Sequence, residues 1–147
     1  MHNWGARKKI WIYATAGAMG LLLLFPFKTT VVPEWRVRIV DEVGNPLRTT
    51  RVREVWKHYT IESASHQEDL ITDADGYVTF PMRTVRGSLL VRIGRPIVNV
   101  LNVHASFGPS AYVSVLDYPD DSFLEDNNTY FPDQPLPTQV VLKRVGH

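Results

Sequence analysis

The sequence predicts an all-β fold, a seven- to eight-stranded antiparallel sandwich, behind a single N-terminal transmembrane helix. Three observations predict it. Short apolar runs alternate with polar residues in period two from Trp35 onward. Gly, Pro, Asn and Asp cluster between those runs, as turns require. Ahead of them, the run from Ile10 to Phe27 carries no charge. These features divide the chain into a basic N-terminus (1–9), a helix (10–27), a tether (28–33) and a β-domain (34–147).

The helix comes first. At about 1.5 Å per residue it would reach roughly 27 Å, near the thickness of a bilayer's hydrocarbon core. Trp11 near its start and Leu21, Leu22, Leu23, Leu24 and Phe25 in its second half form the expected anchor, and Pro26 suits its exit. A cleaved signal peptide is the alternative, with a small-x-small site after the apolar run. Lys28-Thr29-Thr30-Val31-Val32 offers no such site there, whereas Ala14-Thr15-Ala16 and Ala16-Gly17-Ala18 precede the leucines. The uncleaved anchor is therefore the expectation. Arg7, Lys8 and Lys9 lie before the span and Lys28 alone lies just after it. That asymmetry predicts a single-pass membrane protein with a cytoplasmic N-terminus and a periplasmic or extracellular domain.

The strands follow. Trp35, Val37 and Ile39 alternate with Arg36 and Arg38, and Asp41 to Pro46 is a turn. The alternation resumes at Arg51 and slips near Glu54-Val55, where a bulge is expected before the strand continues through Trp56 to Tyr59. Ser63 to Glu68 reads as a loop. Leu70-Ile71-Thr72 and Tyr77 to Phe80 flank Asp73-Ala74-Asp75-Gly76, which reads as a hairpin turn, and Pro81 ends the second strand. Leu89 to Ile93, Ile97 to Val103, Ala111 to Leu116 and the stretch around Val140 and Leu142 read as further strands, with a turn at Gly108-Pro109.

Val37 to Leu47 (VRIVDEVGNPL) resembles the opening strand and turn of carboxypeptidase regulatory-like domains, and Thr72 to Phe80 (TDADGYVTF) resembles their central hairpin. Arg86-Gly87-Ser88-Leu89-Leu90-Val91 is similar to the Gly-led strand that follows, with Ser88 where an aromatic is usual. The resemblance covers about Trp35 to Ile93. It implies a transthyretin-like (prealbumin-like), broadly Ig-like sandwich serving as a structural or binding module, and it carries no catalytic residue across.

Charge narrows the function classes. The stretch from Met1 to Pro33 carries Arg7, Lys8, Lys9 and Lys28 and no acid, whereas the rest carries 12 Lys and Arg against 15 Asp and Glu. A mildly acidic domain does not suit nucleic acid. With no cysteine, disulfides, thiolate metal sites and a lipid anchor on Cys are excluded. Asp73-Ala74-Asp75-Gly76 fails as a calcium loop, because Ile71 and Met82 would occupy its first and twelfth ligand positions. His2, His58, His66, His104 and His147 are not spaced as paired ligands on one element, although folding could join His58 and His104. The Tyr and His iron set of intradiol dioxygenases is not recognisable. The closing Lys143-Arg144-Val145-Gly146-His147 does not match the Tyr-Arg-Gly-Ser end of hydroxyisourate hydrolases. Neither a G-x-S-x-G elbow nor a phosphate loop occurs. No catalytic residue, metal or cofactor is expected.

The distinctive segment is Asp117 to Pro137, with six acids, no Lys or Arg and four prolines. Tyr118, Asp120, Asp121, Phe123, Glu125, Asp126, Tyr130 and Phe131 are the expected contacts for a basic, partly apolar protein partner. The alternative is a solvated loop whose aromatics cap the sandwich. Asn127-Asn128-Thr129 is a glycosylation sequon, relevant in a secretory eukaryotic host. Arg83, Arg86, Arg92 and Arg95 form the basic counterpart; facing headgroups and pairing with the acidic loop are the alternatives to the default, a solvated sheet face. The expected function is a membrane-anchored, non-enzymatic binding or scaffold module. An accessory subunit of an envelope complex and a small sandwich-fold enzyme or metal protein are the alternatives.

Overall fold

A computed structural model describes residues 4–101, 106–116, 122–124 and 128–144. The order is α1 (Trp4–Leu24), β1 (Phe27–Val32), β2 (Trp35–Asp41), β3 (Arg51–His58), β4 (His66–Ile71), β5 (Tyr77–Phe80), β6 (Arg83–Gly87), α2 (Leu89–Leu101), β7 (Pro109–Val115), β8 (Ser122–Leu124), β9 (Thr129–Tyr130) and β10 (Gln139–Arg144). The strands form a β1-β6 ribbon and two four-stranded sheets, ordered β5-β2-β10-β8 and β4-β3-β7-β9. The all-β expectation is thus corrected to a mixed α/β fold. The antiparallel expectation is corrected at β10, which runs parallel to β2 with Gln139 opposite Arg38.

The core lies where all three sheets contribute. Trp35, Val37, Ile39, Val78, Phe80 and Val140 come from one four-stranded sheet, Val52, Ala111 and Val113 from the other, and Val31 and Val32 from β1. Trp35 is fully buried, and its indole N–H is satisfied by donating to the Pro137 carbonyl at 2.7 Å.

The transmembrane expectation is overturned. No helix among the described residues is long and apolar enough to cross a membrane. The physical reason lies at both ends of α1. Its uncharged part is only Ile10–Leu24. That is about 22 Å of helix against a hydrocarbon core of roughly 30 Å. Phe25 and Pro26 leave the helix, and Phe27 opens a strand. Every 18-residue stretch of α1 also includes Arg7, Lys8 and Lys9. The single-pass topology and the periplasmic or extracellular placement drawn from it fall with the span. Of the expected anchor residues, Trp11, Leu21, Leu22, Leu24 and Phe25 are exposed and Leu23 is half-buried. The residues read as a tether lie largely in β1, which pairs Phe27 with Gly87 and Thr29 with Val85.

Three local readings also change. No bulge occurs at Glu54-Val55, since β3 pairs in continuous register with β4 and with β7 through both residues. Glu54 is simply a polar residue at an inward position. The loop expected to run to Glu68 ends earlier, because β4 starts at His66. Asp73–Gly76 makes a tight turn, with Asp73 Oδ1 accepting from the Asp75 and Tyr77 amides and Gly76 at φ 79°. It passes the chain between sheets instead of closing a hairpin, for β4 and β5 belong to different sheets.

The two strands read in Leu89–Val103 are one helix through Leu101. Ser88 starts it, accepting the Val91 amide on its hydroxyl at 3.4 Å and the Arg92 amide on its carbonyl at 3.1 Å. Pro96 stands inside this helix and donates no backbone hydrogen bond.

Candidate functional site

β3 carries an acid at an inward position, opposite Val113 of β7 and Glu68 of β4. Val52, Glu54 and His58 alternate inward, and Glu54 is completely buried. Arg83, from β6, donates from Nε to Glu54 Oε2 at 2.8 Å, and it also pairs with Glu68 on β4. The Arg83 guanidinium lies 4.1 Å from the centroid of Trp56, which stacks with His66 at 5.6 Å. His66 Nε2 meets Glu62 Oε1 at 2.7 Å, and the other Glu62 oxygen accepts the His58 amide at 2.9 Å. Two atoms of this network, Glu54 Oε1 and His58 Nδ1, are buried with no hydrogen-bond partner among the described residues. Burial pushes the Glu54 carboxyl up, against the pull of Arg83, and pushes the His58 imidazole down. The cluster is an internal clasp joining β3, β4 and β6.

Beside it, α2 is built inside out. Leu90, Ile93, Ile97 and Val100 recur at the spacing of one helical face. On a helix packed against a sheet that face turns to the core. Here it turns outward, with Leu90 50%, Ile97 60% and Val100 68% exposed. The helix is held by its polar side instead. Arg92 Nε donates to the Gly87 carbonyl at 3.1 Å, and its Nη2 donates to the Phe27 carbonyl at 3.0 Å and to the Thr29 hydroxyl. One guanidinium therefore ties α2 to both strands of the ribbon. α1 touches α2, because β1 begins opposite the end of β6 and both helices leave that end of the ribbon.

Between α2 and the turn after β3 lies an open trough of about 670 Å³, lined by Lys57, Tyr59, Glu62, Leu90, Val91 and Arg95 among others. Lys57 is held there, donating to the Ser63 carbonyl at 2.9 Å and lying 5.2 Å from the Tyr59 ring centroid. No family model, curated protein or solved structure matches this chain. The site is therefore read from its own geometry.

Of the residues expected to form a contact surface, Phe123, Tyr130 and Phe131 lie among the described residues. Tyr118, Asp120, Asp121, Glu125 and Asp126 lie outside the described residues, as does His104. Phe123 falls in β8, opposite Lys143. Tyr130 is in β9 opposite Ala111 and packs half-buried on the core, while Phe131 is exposed. Among the described residues, no three His, Cys, Asp or Glu side chains group as metal ligands. Sequence reasoning misses the outward face of α2. Its signal is Ser88 followed by apolar residues at 90, 93, 97 and 100.

Proposed function

We propose that this protein is a binding module whose working surface is the helical end of the domain. One observation carries the reading, namely that α2 ties its arginine face to the β1-β6 ribbon and presents its aliphatic face outward. Exposed aliphatic stripes cost free energy unless something covers them, and contiguous ones mark contact surfaces. The surface proposed is α2; within the 117–137 segment, Tyr130 packs half-buried on the core and Phe131 is exposed.

A photo-crosslinking residue placed at Ile97 in the full chain tests this in its native cells. Adducts at position 97 should exceed those at Thr79, an exposed residue of β5 that belongs to neither helix nor to the ribbon. Equal yields at the two positions would remove the helical end as the working surface.

A further inference from the structure

We infer that the helical end docks on an anionic lipid surface, with α2 lying in the plane of the interface and crossing nothing. The inference rests on the binding reading above and names its partner. Three features point to lipid.

The first is charge. Neither the stretch from Met1 to Pro33 nor that from Gly76 to Leu116 contains an acid, and these are the stretches that build both helices and the ribbon. Arg7, Lys8 and Lys9 on α1, Lys28 on β1 and Arg86 on β6 are exposed, and Arg92 and Arg95 are half-buried on α2 itself. Arg83 does not count, since Glu54 and Glu68 neutralise it. Glu62 lines the trough, but both its oxygens are occupied by His66 and the His58 amide. The surface is cationic and matches a layer of anionic headgroups.

The second is the kind of apolar residue. The α2 stripe is wholly aliphatic, comprising Leu90, Ile93, Ile97 and Val100. Protein contacts concentrate their energy in Trp, Tyr and Arg seated in pockets, with Leu and Val under-represented. An interfacial helix needs only a smooth aliphatic face that sinks about 5–10 Å below the headgroups. α1, which touches α2, exposes Trp11 and Tyr13, the residue types that settle at headgroup level.

The third is the mounting. Arg92 is spent on the ribbon's backbone, so α2 is held with its stripe outward before any partner arrives. A second copy is disfavoured as the occupant, because the two faces would bring like charges together.

The chain contains no cysteine, so a single Ile97→Cys substitution gives one site for an environment-sensitive fluorophore. The labelled full-length protein is mixed with phosphatidylcholine vesicles, with and without phosphatidylserine. The fluorophore should move to an apolar environment only with phosphatidylserine, whereas one at Thr79→Cys should not. Binding should weaken about tenfold or more in an otherwise unlabelled Ile93→Ser/Ile97→Ser protein and should fall as salt rises. Both isoleucines are exposed, so the thermal midpoint should hold. Salt dependence in the unsubstituted protein supplies a readout that needs no variant. Equal binding to uncharged vesicles, or undiminished binding by the double variant, overturns the inference. If vesicles fail while position 97 crosslinks to a protein, the partner is an acidic protein and the binding reading stands. If both fail, both readings fall.

Discussion

Arg83 reaches from β6 to place its Nε 2.8 Å from Glu54 Oε2, on the strand face that also carries Val52, Trp56 and His58. The two residues are 29 positions apart, so the pair staples the ribbon to a four-stranded sheet. Removing one partner of such a pair strands the other, at about 3–5 kcal/mol. Arg83→Met should lose stability on that scale in urea denaturation. Arg83→Met/Glu54→Leu should recover most of it, because neither member of the pair is then left buried without the other. A double variant as unstable as the single one would show that packing, and not the ion pair, is what Arg83 supplies.

The same carboxylate sets a pH signature. Burial raises its folded pKa, so its contribution is fullest below the ordinary glutamate value of about 4.3 and declines as pH rises through the folded pKa. Asp41 and Asp69 act oppositely. The Asn45 side-chain hydrogen bond lowers the first and the Arg53 hydrogen bond lowers the second, so their stabilisation is lost as pH falls. The stability difference between the unsubstituted protein and Glu54→Gln, followed by urea titration across the acid range, should therefore shrink as pH rises. A flat difference would contradict it.

His58 provides a second titration. Burial, and then the Arg92 charge, favours its neutral ring, so its contribution is full above the unfolded value of about 6.5 and is lost as pH falls through the lower folded value. In a ¹H–¹³C titration the His58 ring should titrate below that unfolded value. In Arg92→Gln it should move back toward it while α2 loosens from the ribbon. An unshifted ring in the unsubstituted protein would remove the buried, neutral assignment.

Gly76 should tolerate no side chain. It sits at φ 79°, and an added Cβ would lie 2.8 Å from the Ile39 carbonyl oxygen and 2.9 Å from Pro46 Cβ. Gly76→Ala should cost about 1–3 kcal/mol, from the backbone region and the clash together. Gly44→Ala, also at positive φ but in open space, should cost less. Thermal denaturation of the two variants checks the order.

Much of the domain is legible in the sequence because its signals are local. Trp35 to Ile39 alternates cleanly, and the Asp41 and Asp73 turns carry their own hydrogen bonds, Asp41 Oδ1 accepting the Asn45 amide at 2.8 Å and Asp73 Oδ1 the Tyr77 amide at 2.9 Å. The helix α2 is not legible as such. Leu89, Val91 and Ile93 fit a strand, Gly94 and Pro96 discourage a helix, and only the Ser88 cap and the 90-93-97-100 spacing favour one. The span misleads because Phe25 to Phe27 is as greasy as the helix before it. What removes those residues from the helix is Pro26 and the pairing of Phe27 with Gly87, a partner far along the chain. Glu54 looks like a bulge for the same reason, since its explanation stands on another strand.

The parallel pairing of β10 with β2 has a consequence in time. β10 sits between β2 and β8, and its register sets Gln139 beside Arg38. A ribosome adding about 5–20 residues per second makes the later strand roughly 5–20 s after the earlier one. Through that interval the edge of β2 has no neighbour, and the indole of Trp35 lacks the Pro137 carbonyl that satisfies it. The sheet is closed by a strand synthesised long after its partner, so the nascent chain carries an open edge throughout that interval. A holding chaperone acting on this protein would find its substrate there.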